Sequence, residues 1–204
     1  MSNAAQSGNV YQINPQDKKV FLINKQGHFG QGLHGCSFDE SAIRQMATDT
    51  ANRDIDAYHS YDVYVLPLDR NIPMGDDPMR DYGWMNLQPL FSARKAKDAP
   101  PVVYPEPTNA DPLLDNPYHL DADTPSIYVV YKQGMYGHGA HGASMTVDGA
   151  RQLAMQAAEQ DIDDYHCYDV YQLPLDQLTP LSATPMRDYG WMNVDPLYSI
   201  KKGA

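Results

Sequence analysis

The nine residues Pro78 to Asn86, PMRDYGWMN, occur again from Pro185 to Asn193. No other feature constrains the fold as strongly, because a repeat of this length fixes an alignment for the chain around it. Pro185 lies 107 positions after Pro78, and that shift aligns the flanking sequence without a gap. Lys25-Gln26-Gly27 meets Lys132-Gln133-Gly134, and His34-Gly35 meets His141-Gly142. Asp54-Ile55-Asp56 meets Asp161-Ile162-Asp163, and Tyr58-His59 meets Tyr165-His166. Tyr61-Asp62-Val63-Tyr64 meets Tyr168-Asp169-Val170-Tyr171. About half the positions between Val20 and Lys95 are identical to those between Ile127 and Lys202. A period this long with two copies points to duplication of one small lobe, not to a solenoid.

Within the first copy the order of elements is legible. Residues 20–24, VFLIN, form a continuous apolar run and predict a strand buried on both faces. Gly27, Gly30, Gly32 and Gly35 follow and read as a glycine-rich loop. Ser37 with Glu40 has the spacing of a capping box. The apolar positions Ala42, Ile43, Met46, Ala47 and Thr50 or Ala51 then recur at helical spacing, fading near Asp54 to Tyr58. Tyr61 to Leu68 is rich in strand formers and predicts a second strand, with Pro67 at an edge or bulge. A loop from Pro73 delivers the repeated block, and residues 87–92 predict a short closing strand.

The expected organisation is therefore a leader over 1–18, a first lobe over 19–95, a proline-rich strap over 96–125 and a second lobe over 126–204. In the leader, Val10 and Tyr11 are the residues expected to dock. The strap carries Pro100, Pro101, Pro105, Pro107, Pro112, Pro117 and Pro125, which favour extended backbone over a central strand. A lobe of this size has a marginal core by itself, so two similar lobes are expected to pack together. The predicted fold class is α/β or α+β. It comprises two tandem duplicated lobes with pseudo-twofold symmetry, each strand, glycine-rich loop, helix, strand and aromatic closing loop.

Composition narrows the partners. The formal net charge is -11, and no basic run occurs, which disfavours direct nucleic-acid binding and an anionic membrane surface. No apolar run spans a bilayer, and no basic-then-apolar signal opens the chain, so a cytoplasmic protein is expected. Cys36 and Cys167 fall at unmatched positions of the two copies and read as free thiols.

Three functions are weighed. The first is a non-enzymatic binding or inhibitory protein that presents two like surfaces to a protein partner, a basic one if the acidity assists. Arg80, Tyr82 and Trp84, with Arg187, Tyr189 and Trp191, carry it, because these residue types dominate interface energies. The competing role for the same block is to seal each lobe, with Trp turned inward and the Tyr and Arg edges at the surface. The second is a binder of a nucleotide or other phosphorylated compound. It would use the glycine-rich loops with Gly32, His34, Gly139 and His141, with Lys25 and Lys132 as helpers. No GxxxxGK[ST] pattern supports it. The third is a metal-dependent enzyme using Asp54, Asp56 and His59 with Asp161, Asp163 and His166, although no HExxH or CxxC spacing is present. No cofactor is expected, and no catalytic residue is singled out. The aspartates raise a separate problem, because carboxylates beyond a helix C-terminus oppose its dipole. Against a metal stands the plain reading of a solvated helix end. As to the dipole, either the helix ends before Asp54 or the aspartates meet a cation, with Arg80 and Arg187 the expected partners.

Overall fold

The computed structural model describes residues 11–27, 32–54, 57–73, 87–101, 120–121, 123–134, 139–179 and 194–203. The fold is α+β, and among the described residues it has two antiparallel five-stranded sheets and two helices. The first half supplies β1 (Lys19–Gln26), β2 (Gly32–Ser37), α1 (Glu40–Asn52), β3 (Ser60–Pro67), β4 (Arg70–Asn71) and β5 (Phe91–Arg94). The second supplies β6 (Ser126–Gln133), β7 (Gly139–Ser144), α2 (Val147–Gln160), β8 (Cys167–Pro174), β9 (Gln177–Leu178) and β10 (Tyr198–Ile200).

The two-sided burial expected of VFLIN is what β1 displays. Val20 and Leu22 enter a core between the two sheets, whereas Phe21 and Ile23 pack under α1. The same alternation recurs in β6, where Ile127, Val129 and Tyr131 face the other sheet and Val130 faces α2. Each molecule is thus layered helix, sheet, sheet, helix. The registers also agree at the 107-residue shift: Phe21 pairs with Ser37 as Tyr128 pairs with Ser144, and Lys25 with Tyr61 as Lys132 with Tyr168.

The glycine segment departs from expectation. Gly32–Ser37 is not a loop but the strand β2, antiparallel to β1, and α1 then carries the chain over β1 to β3. All ladders between described strands are antiparallel, which corrects the α/β alternative to α+β. Glycine is a poor strand former, and the reason for it lies elsewhere in the chain. A Cβ on Gly35 would sit 3.0 Å from the Gln177 carbonyl oxygen, and one on Gly142 would sit 2.7 Å from Asn71 Oδ1. These neighbours belong to crossing strands. After Pro67 the chain turns at Asp69 and pairs as β4 with β7 of the other sheet, while β9 pairs with β2. Neither sheet is built from one half alone.

The helix caps differ too. Asp39, not Ser37, is the N-cap of α1, accepting from the Ala42 amide at 2.8 Å. Ser37 still belongs to β2, and its hydroxyl donates to Asp176 Oδ1 at 2.5 Å across the junction. Ser144 makes the reciprocal bond to Asp69 Oδ1 at 2.6 Å. Both aspartates sit at φ 57, a left-handed turn that Asp tolerates better than most residues. Ile43, Ala47, Thr50 and Ala51 form the buried face of α1, as the periodicity predicts. β3 ends at Pro67, beyond the stretch Ser60–Val63 that β5 covers, so the missing amide costs no ladder bond on that side. The closing strand falls at Phe91–Arg94, later than residues 87–92. Tyr11 packs against the inter-sheet core, and Arg70 pairs with Asp17. Both cysteines are free thiols. Val10 and most of the strap lie outside the described residues. No described helix is long and apolar enough to cross a membrane.

The crossed serine–aspartate bonds should contribute measurably. Ser37→Ala or Ser144→Ala is expected to lower unfolding free energy by about 1.5–3 kcal/mol, the range for a hydrogen bond to a charged group. Urea denaturation checks this, and a cycle with Asp176→Ala or Asp69→Ala should show coupling only within each crossed pair.

Candidate functional site

Where each helix ends, the repeated residues converge on one carboxylate. Asp54 follows the C-cap of α1 and is 1% exposed. Lys25 Nζ lies 3.0 Å from Asp54 Oδ2, and the Tyr61 hydroxyl donates to the same oxygen at 2.5 Å. His59 Nδ1 lies 2.8 Å from Oδ1. Lys95 Nζ donates to the Asp54 backbone carbonyl at 2.7 Å. The second half repeats the arrangement around Asp161. Lys132 lies at 2.8 Å, the Tyr168 hydroxyl at 2.5 Å and His166 Nδ1 at 3.0 Å, and Lys202 reaches the backbone carbonyl at 2.8 Å.

Local sequence explains why these groups meet. Lys25 follows the apolar run of β1 and shares the helix-facing side with Phe21 and Ile23. Tyr61 is its direct cross-strand partner. His34, one residue after Leu33 of the inter-sheet core, also turns toward the helix and meets the Tyr61 ring edge-on at 5.9 Å. His141 meets Tyr168 in the same way at 5.9 Å. Gly27 closes the cluster: at φ 143 its backbone lies so near His59 that a Cβ would fall 2.0 Å from the ring. Gly134 stands in the same relation to His166, at 2.1 Å.

The electrostatics follow from burial. Desolvation pushes the Asp54 carboxyl upward, but the Tyr61 and His59 hydrogen bonds and the Lys25 charge outweigh it and hold its pKa below the ordinary value. Desolvation also opposes ionisation of Asp161, and bonds from Lys132, Tyr168 and His166 again reverse it. Tyr168 is raised by burial and by its bond to the carboxylate, so it remains a donor at neutral pH. An ionised carboxylate only accepts, which assigns the Nδ1 proton to each histidine. The chemistry available is that of a satisfied buried ion pair, tying helix end to sheet.

The expected site residues distribute unevenly. His34 and His141 join the two clusters, and Gly32 and Gly139 pair with Lys25 and Lys132 in the ladders. Lys25 and Lys132 are committed to aspartates, and Gly32 and Gly139 open the strands β2 and β7 instead of a helix. Asp54 and Asp161 are buried, which corrects the solvated-helix-end reading for these two, and among the described residues lysine supplies their cation. Arg80, Tyr82, Trp84, Arg187, Tyr189, Trp191 and Asp56 lie outside the described residues. Among the described residues no group of three or more His, Cys, Asp or Glu could hold a metal ion. The lysine and tyrosine members were not expected at the site, although their identity at the 107-residue shift was a signal. No family model, no curated protein and no solved structure matches the chain.

Removing one charge strands the other. Lys25→Met or Lys132→Met is expected to cost about 3–5 kcal/mol. Replacing the pair apolar for apolar, Lys25→Met with Asp54→Leu, should cost less than either single change. Chemical denaturation of the three variants checks the order, and equal or additive losses would contradict it.

Proposed function

We propose that the chain is a tandem duplication with pseudo-twofold symmetry. We propose further that it serves as a non-enzymatic binding or inhibitory protein offering two like surfaces to a protein partner. The surfaces centre on Arg80, Tyr82 and Trp84 and on Arg187, Tyr189 and Trp191. The observation that carries this reading is the fate of the repeated titratable groups. Lys25, Asp54, His59 and Tyr61, like Lys132, Asp161, His166 and Tyr168, bind one another inside the fold. Their identity in the two halves is explained by architecture. The identity of PMRDYGWMN then asks for a separate cause, and its residue types are those of interface anchors.

The flanks of each block support a composite surface. Before the first block, the Ile72 amide donates to the His141 carbonyl of the other half at 2.7 Å. After it, the Leu90 amide donates to Val63 of its own half at 2.7 Å. Thr179 to His34 and Leu197 to Val170, each at 2.8 Å, flank the second block in the same crossed manner. The net charge of -11 would speed encounter with a basic partner.

The test is a variant carrying Arg80→Ala, Tyr82→Ala, Arg187→Ala and Tyr189→Ala. Its Tm is expected to fall by no more than about 4 °C, as for surface substitutions in a chain of this size. It should lose a stoichiometric complex that the native chain forms, read by native mass spectrometry. Unfolding of the variant, or a complex that persists unchanged, would remove the basis of the proposal.

A further inference from the structure

The faces that the two sheets turn toward each other change chemistry along their length. Val20, Leu22, Leu66, Ile127, Val129 and Leu173 make one stretch aliphatic. Two residues further along β1 stands Asn24, directly opposite Asp62 of β3. At the same ladder position of the other sheet Tyr131 stands opposite Asp169. Strand alternation puts all four on the inter-sheet side, with Tyr64 and Tyr171 beside them in the shared core. Half-buried Gln26 and Gln133 occupy the next inward positions, toward solvent.

This stretch is not satisfied. Asn24 is fully buried, yet neither its Oδ1 nor its Nδ2 has a hydrogen-bond partner among the described residues. Asp169 is 7% exposed, and its Oδ1 also lacks one, although the Tyr171 hydroxyl donates to Oδ2 at 3.3 Å. A buried amide left unpaired is destabilising, and a buried carboxylate oxygen more so. The nearest lysines in sequence give no relief. Lys25 and Lys132 follow Asn24 and Tyr131 but point to the opposite side of their sheets, where Asp54 and Asp161 hold them. No cation on the described strands faces this space. The neighbouring side chains are aromatic: Tyr131 meets Tyr171 edge-on at 6.3 Å. Burial, then the Asp62 charge, pushes the Tyr64 phenol up to about 12, so it stays neutral.

We propose that the polar end of the inter-sheet space is a binding site for a small organic ammonium compound. The ammonium donates to Asp169 Oδ1 and to Asn24 Oδ1, with Asp62 adding negative charge, and the carbon body lies against the tyrosine rings. Buried carboxylates, an amide without partners and aromatic faces are the complement of such a cation. A phosphorylated compound or a carboxylate would meet like charge here. The proposal uses none of the residues of the repeated block, so either proposal can fail without the other.

Isothermal titration calorimetry of the full chain with benzylamine, benzyl alcohol and benzoate tests it. Benzylamine should bind saturably, one per chain, at least about tenfold tighter than benzyl alcohol, and benzoate should not bind. Asp169→Asn should weaken benzylamine at least about tenfold while leaving the circular dichroism spectrum unchanged. Asn24→Leu removes an orphaned amide and is expected to keep or raise the Tm while weakening benzylamine. It carries the test alone if Asp169→Asn loses its fold. The proposal is overturned if the amine binds no better than the alcohol. It is equally overturned if nothing binds, the buried groups then being served by water, or if folded Asn24→Leu binds benzylamine as the native chain does.

Discussion

Two carboxylates removed from water, Asp54 and Asp161, set the terms for the rest of the molecule. An ion that deep in a protein is tolerated only when an opposite charge and hydrogen bonds replace its hydration. Each half meets that demand from three places at once: a lysine on the first strand, a tyrosine on the third and a histidine just before it. The carboxylate therefore records whether helix, β1 and β3 are all in position. A buried pair of this kind adds little net stability over an apolar one, but losing either member is costly. Its effect is to make partial assembly expensive, so that each helix has one seat on its sheet.

The second constraint is the crossing of β4 and β9. A small sheet leaves unpaired edges, and here each edge of β2 and β7 is taken by a short strand from the other half. Close approach of that strand demands glycine at Gly35 and Gly142. Cys36 lies at the same seam, its thiol donating to the Pro174 carbonyl at 3.3 Å and pushed up to about 12 by burial. A thiol so placed is a poor nucleophile and behaves as a small apolar group. The two constraints reinforce each other, because β2 carries both the glycine of the seam and the histidine that packs on Tyr61.

Much of this was legible in the chain, wherever the cause was local. The run VFLIN announced a strand with two buried faces, and Ile43, Ala47 and Ala51 announced the inner face of α1. The long-range causes were hidden. Glycines at 32 and 35 read as a loop because what excludes a side chain at Gly35 is Gln177, far along the sequence. Ser37 read as a helix cap because its true partner, Asp176, is equally distant. Lys25 read as a flank of a loop, although its identity with Lys132 marked it. The helix does end before Asp54, and where arginine was the expected cation the described residues supply lysine to Asp54 and Asp161. The arginines and tryptophans of the repeated block fall outside the described residues, so their reading still rests on residue type.

The buried carboxylates can be watched directly. Their pKa values are lowered on folding, so the stability they confer is complete above the unfolded value, about 3.9, and is lost as pH falls through the folded one. Carbon-detected NMR titration of Asp54 and Asp161 should find both ionised below about pH 4, where an ordinary carboxyl is already protonating. They should take up protons only as the native spectrum disappears. Reversible protonation of either group near the ordinary value, with the fold intact, would contradict the claim that the structure is assembled around them.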